Sequence, residues 1–187
     1  MDPRVARTRE RLQTALFDLA RERPLEEITV ADIADRAEVN RSTFYQHYSD
    51  KDVLLADALD AVAETAGAAL PERIPVGGEP PLALRVFLEH LDENAELYRQ
   101  LIAERGAGAG GARLGARIER IVLDALPRAD RGLEYEIPPD VIAASVAGSV
   151  LGVLRAWLAR DPRPSVDVAV SWVWRSLLGP GDGGSRG

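Results

Sequence analysis

The chain has no cysteine, two histidines and a single lysine in 187 residues. Without cysteine there is no disulfide, no thiolate nucleophile and no cysteine-based metal site. The histidines, His47 and His90, are far apart in sequence. His90 has Glu89, Asp92 and Glu93 nearby but no second histidine at metal-ligand spacing, so no metal centre and no metal cofactor are expected. Gly106 to Gly111 is glycine-rich, yet it follows no strand and carries no lysine, so it does not read as a phosphate-cradling loop. Met1-Asp-Pro-Arg4 is charged and no apolar run follows, so no secretion signal is expected and a cytoplasmic location is the simplest reading. A chain short of these groups has little to catalyse with, and a binding protein rather than an enzyme is expected.

The net charge is −7, from 23 basic and 30 acidic residues. Every basic residue except Lys51 is arginine. Arg4, Arg7, Arg9 and Arg11 crowd the N-terminus, while Glu26, Glu27, Asp32 and Asp35 lie further on. This distribution describes a weakly basic face on an acidic body. Such a protein should bind non-specific DNA poorly, because phosphate contacts dominate that affinity.

The most informative segment is Arg41-Ser-Thr-Phe-Tyr-Gln-His-Tyr-Ser-Asp-Lys51. Phe44 and Tyr48 are four apart and share one face of a short helix. Arg41, Ser42, Thr43, Tyr45, Gln46 and His47 fall on the other faces, and each can hydrogen-bond. Just upstream, Thr29-Val-Ala-Asp32 has the form of a capping box with Asp in the last place. Ile33, Ala34, Ala37 and Val39 form the apolar stripe of that helix. Glu38-Val39-Asn40 is a tight turn, and Asn40 a good N-cap for the next helix. Two short helices joined so closely form a helix-turn-helix, whose second helix fits a major groove.

The run Ile28-Thr29-Val30, Ile33-Ala34, Val39 to Tyr48 and Lys51 resembles the DNA-binding domain of TetR-family transcriptional regulators. The resemblance covers roughly the first third of the chain. It implies an all-α protein, with an N-terminal three-helix helix-turn-helix domain and a C-terminal helical ligand and dimerisation domain. The expected units are 1–50 for DNA binding, 51–178 for effector binding and dimerisation, and 179–187 as a disordered tail. By resemblance, Arg41, Ser42, Thr43 and Gln46 face base edges. Tyr45, His47, Lys51 and Thr29 hold phosphates, and the N-terminal arginines reach an adjacent groove or backbone. Arg41 has the fork for guanine and Gln46 the amide for adenine. Ala31 stands where some family members carry a base-contacting side chain, which shifts readout onto the second helix of the motif. The family usually has Gly where this chain has Glu38; Glu is unstrained there only at negative φ. The resemblance further implies a homodimeric repressor of a palindromic operator, released by a small-molecule effector.

The remainder reads as helices divided by Gly and Pro. The first helix spans about Val5 to Arg23, with Leu12, Ala15, Leu16 and Leu19 as its stripe and Phe17 beside it. A helix from Lys51 to about Leu70 carries Leu54, Leu55, Ala58, Leu59 and Val62. Residues 71–81, with four prolines, form a loop. Leu82 to Glu104 is helical with a break near Asn94; 105–111 is a loop; Leu114 to Leu126 is amphipathic; 127–139 is a connection. Phe87, Leu91, Tyr98, Leu101 and Trp157 are candidate pocket residues, and their apolar character points to a largely apolar effector.

Val141 to Ala159 is apolar almost all round, with Arg155 its one charge. Length would allow a membrane span, but Arg155 and the diluting Ala, Gly and Ser argue for a helix buried against its own domain and a partner chain. Ser165 to Leu178 is its companion. Gly148, Leu151, Gly152, Arg155, Val170, Trp172 and Trp174 are the expected dimer contacts. The alternative is a helical interaction scaffold without specific DNA binding, which leaves the polar face of 41–47 unexplained.

Overall fold

The computed structural model describes residues 3–70, 79–103, 109–128 and 137–178. Among them are nine α-helices and no strand, as the sequence predicts. They are α1 (Pro3–Glu22), α2 (Val30–Arg36), α3 (Arg41–His47), α4 (Lys51–Ala68), α5 (Leu82–Glu93), α6 (Ala95–Ala103), α7 (Ala109–Ala125), α8 (Pro139–Leu158) and α9 (Val166–Leu178). The tail 179–187, and most of the expected loops at 71–81 and 127–139, lie outside the described residues.

α1 buries Leu12, Ala15, Leu16 and Leu19 at helical spacing, with Phe17 on the flank. α2 opens with the capping box: Thr29 accepts from the Asp32 N–H, and the Asp32 carboxylate accepts from the Thr29 N–H at 2.8 Å. α3 sets Phe44 into the core at 0 % exposure, with Tyr48 just past its end at 4 %. Asn40 stands at the N-cap of α3, but its side chain makes no capping bond, contrary to expectation; its carbonyl accepts the Phe44 N–H instead. α4 is capped by Asp50, whose carboxylate accepts the Val53 N–H at 2.8 Å.

α5 and α6 divide at Asn94, where the sequence places the break. Asn94 is 3 % exposed and its side chain works in both directions. Its amide donates to the His90 carbonyl at 2.8 Å, and its oxygen accepts from Arg21 of α1 at 3.1 Å. The corner of the C-terminal bundle is thereby fastened to the first helix.

α7 starts at Ala109, so residues 109–111 are helical where a loop is expected. Gly weakens an isolated helix by about 1 kcal/mol, but α7 is held by burial of Leu114 and Ile118. Gly115 lets α7 meet α8 closely: a Cβ there would lie 2.9 Å from Leu151. α8 buries Ala143, Ala147, Val150, Leu154 and Trp157 on one side. It is long and apolar enough to cross a membrane; here it packs on α6, α7 and α9. A continuous apolar core runs from α1 to α9.

Candidate nucleic-acid interface

The recognition surface follows from the packing of α3. With Phe44 and Tyr48 turned inward, Arg41, Ser42, Tyr45 and Gln46 are exposed, and Thr43 and His47 half-exposed. Tyr45 is 59 % exposed, its ring supported edge-on by Phe44 at 5.5 Å. No side-chain hydrogen bond or ion pair joins Arg41, Ser42, Thr43 or Gln46 to the described residues. The face is polar and its side chains are uncommitted.

Behind it, the base of α3 is fixed by one carboxylate. Asp57 of α4 accepts from the Tyr48 hydroxyl at 2.6 Å and from Gln13 of α1 at 2.7 Å, and pairs with Arg9. Burial raises the Asp57 carboxyl, but these three donors outweigh it and hold it below its ordinary value. Burial, then the bond to Asp57, push the Tyr48 phenol up to about 12. One residue thus joins α1, α3 and α4.

Several candidate contacts are committed elsewhere. Lys51 does not present a free ammonium to a phosphate: its Nζ donates to the carbonyls of Leu25 at 2.7 Å and Ile28 at 3.0 Å. It closes the turn that leads into α2. The Thr29 hydroxyl donates to Asp32 at 2.7 Å and completes the capping box, although the residue stays exposed. With Arg23 alongside, these bonds lower the Asp32 carboxyl to about 2. The N-terminal arginines do not precede the first helix; they lie within it. Arg9 pairs with Asp57, and Arg11 reaches the Glu38 carbonyl at 3.3 Å and its carboxylate at 3.1 Å. Glu38 has φ 52, the left-handed value a Gly would take without strain. Arg11 braces that residue from α1.

The C-terminal bundle holds an apolar cavity of about 140 Å³ walled by α4, α5, α7, α8 and α9. Of the five expected pocket residues only Phe87 lines it. Leu91, Tyr98 and Trp157 are at most 1 % exposed and fill the core around α6, and Leu101 is partly buried away from the cavity. The walls come instead from small and branched side chains, among them Ala63 and Gly67 of α4, Ile118 and Ile121 of α7, and Val146 of α8. Gly67 approaches Ile121 so closely that a Cβ would lie 3.1 Å from it. Next to this wall, α4 and α7 are laced by ion pairs: Asp60 with Arg113 at 2.6 Å, and Glu64 with Arg117 at 2.6 Å. Neither the Asp57 node nor this ladder is predicted from sequence.

The expected dimer contacts divide. Gly148 and Gly152 face open space, on a stripe of α8 that also exposes Val141, Ser145 and Ala156. Trp172 is half-buried, under the Arg160 guanidinium at 4.9 Å. Arg155 is exposed but donates to the Ile102 carbonyl at 3.2 Å. Val170 and Trp174 turn inward, Trp174 to the cavity, and Leu151 packs toward α7, so these three lie off the open stripe.

The sequence profile of the bacterial regulatory proteins of the tetR family matches residues 14–58, the span holding the helix-turn-helix and the Asp57 node. Over that span the chain is similar to the DNA-binding region of the TetR family. An HTH-type transcriptional regulator of Bacillus subtilis (strain 168), YxbF, is 46 % identical over 56 residues, which is 29 % of this chain and 15 % of that protein's length. Over nearly the whole chain, solved structures share the fold. The dihydroxyacetone kinase operon activator DhaS aligns with TM-score 0.68 and 19 % identity, over 91 % of this chain and 94 % of that one. Thermus thermophilus FadR, a TetR-family repressor in complex with lauroyl-CoA, aligns with TM-score 0.56 and 24 % identity, over 94 % and 100 %. The TetR-family relatives are regulators rather than enzymes.

Proposed function

We propose that this chain is a homodimeric cytoplasmic repressor that reads a palindromic operator through paired α3 helices and is released by a small, largely apolar effector. The observation that carries the reading is the uncommitted polar face of α3 on a base fixed by Asp57. On it, Arg41 reads guanine O6 and N7, Gln46 reads adenine, and Ser42 and Thr43 touch neighbouring base edges. Tyr45 and His47 hold phosphates and set register. Thr29 and Lys51 serve by fixing the entry to α2. Residues 1–50 form the reading unit and 51–178 the effector and dimer unit, with α4 as connector.

The open stripe of α8 is the dimer surface in this reading. Gly148 and Gly152 leave room for a partner helix to approach closely. A two-fold dimer places the α3 helices about one DNA turn, roughly 34–36 Å, or a multiple apart. α4 links cavity to operator: Ala63 and Gly67 wall the cavity, and Asp57, two to three turns earlier, holds Tyr48 at the end of α3. A ligand that parts α4 from α7 moves α3 in each subunit. Ligand and operator then oppose each other with a coupling of about 1–3 kcal/mol.

The test is fluorescence anisotropy of the purified protein with DNA from upstream of its own gene, against scrambled DNA, at two salt concentrations. Tight, salt-sensitive binding to the upstream or to a library-selected sequence is expected. Failure to bind any sequence in a random library would overturn the reading.

A further inference from the structure

The chemistry of the cavity wall is narrower than "apolar effector" requires. Around α4 and α7 it is Ala63, Gly67, Ile118 and Ile121; Phe87 and Trp174 close it from α5 and α9. Among the described residues, no lining side chain carries a charge, hydroxyl or amide. Three arginines between the surrounding helices are ion-paired, Arg113 with Asp60, Arg117 with Glu64 and Arg85 with Asp167, and among the described residues none of them lines the cavity, although the buried Arg117 Nε makes no hydrogen bond. Among the described residues, a carboxylate or phosphate in the cavity would meet no cation and no polar lining side chain but the Trp174 indole, and a charge taken out of water without a charged partner is strongly disfavoured. Size is equally restrictive. An apolar cavity of about 150 Å³ stays dry and accepts benzene, and this one measures about 140 Å³.

We propose that the cavity takes a neutral, compact hydrocarbon group of about six carbons, a single aromatic ring or a short alkyl chain, with no charged group inside. The proposal rests on the reading of this cavity as the effector site. It sets the chain apart in ligand chemistry from its lauroyl-CoA-binding structural neighbour, whose ligand is long and anionic. The ligand is recognised by shape and burial, so its binding carries a negative heat-capacity change.

The experiment titrates the full-length protein with toluene, benzoate and dodecanoate, followed by calorimetry and tryptophan fluorescence, since Trp174 lines the site. Toluene and benzoate match in size and differ in charge; dodecanoate tests length. Toluene is expected to bind, with benzoate and dodecanoate at least ten-fold weaker. Ala66→Leu and the milder Val146→Leu, both at the wall, should abolish toluene binding while the far-ultraviolet circular dichroism stays helical. Benzoate or dodecanoate binding as tightly as toluene, binding unchanged in both folded variants, or no toluene binding would each overturn the proposal. Toluene binding that leaves the affinity for selected DNA unchanged upholds the ligand assignment and defeats the effector reading instead.

Discussion

Asp57 connects three helices through one side chain, so its replacement should be felt both in stability and in DNA binding. Asp57→Ala leaves the Tyr48 hydroxyl, Gln13 and Arg9 without their common acceptor. Loss of a charged hydrogen-bonded group of this kind costs about 1–3 kcal/mol, a fall of roughly 2–12 °C in Tm for a chain of this size. Differential scanning calorimetry checks it, and an unchanged Tm would show the node to be ornamental. His90 offers a pH test at the same scale. Its ring lies edge-on to Phe17 at 4.8 Å and to Tyr98 at 5.7 Å, at the seam between α1 and the bundle. Burial lowers its value below the usual imidazole range, and Arg21 adds to this against the pull of Glu93. A lowered value means that the neutral ring is the folded form. Its stabilising contribution is present above about pH 6.5 and is lost as pH falls through the folded value. Thermal stability should therefore drop between pH 7 and 5, and by less in His90→Leu than in the parent chain. Equal drops in the two proteins would remove His90 from the seam's energetics.

At the scale of the element, α4 is the part whose two ends do different things. Its first half holds Asp57, and its second half holds the ion pairs to α7 and the cavity wall. The Asp60–Arg113 pair is half-exposed and contributes about 0.2–1 kcal/mol, whereas in the second pair Glu64 is exposed but Arg117 is largely buried. Arg113→Ala with Arg117→Ala is expected to lower Tm by a few degrees. The same double variant should weaken effector-free DNA binding several-fold, because α4 is released from α7. Unaltered DNA affinity would mean that α4 is positioned by apolar packing alone. How much of this was legible in the sequence depended on distance along the chain. The capping box at Thr29 and Asp32, the buried pair Phe44 and Tyr48, and the break at Asn94 are local patterns, and the structure has each of them. The partners of Lys51 are carbonyls more than twenty residues away, and Arg113 meets Asp60 across 53 residues. Spacing within one helix cannot reveal such pairs. The cavity escaped for the same reason: its wall is assembled from five helices, while the large aromatics that suggest a pocket, Tyr98 and Trp157, are simply core. α7 began earlier than expected because packing overrode the low helix propensity of Gly110 and Gly111.

At the scale of the molecule, the open small-residue stripe of α8 makes dimerisation a sharp prediction. A Cβ added at Gly148 or Gly152 meets nothing within 4 Å among the described residues, so Gly148→Leu and Gly152→Leu point into open space. Such variants should stay folded yet behave as monomers in sedimentation or light-scattering measurements, and bind operator DNA far more weakly. A folded dimer in both would move the interface elsewhere. The acidic body has a second consequence. With Arg9, Arg11 and Lys51 engaged inside the chain, non-specific affinity should be low and the contrast between operator and random DNA large. The central claim is that the polar face of α3 reads base sequence. Its most direct test is the dissociation constant of Arg41→Ala on selected operator DNA and on scrambled DNA, beside the parent protein. Loss of a bidentate base contact should cost about 1–3 kcal/mol on the operator, roughly 5- to 150-fold, with binding to scrambled DNA weakened by less and the dimer intact. Equal affinity of variant and parent for the operator, or the same proportional loss on both DNAs, would contradict it.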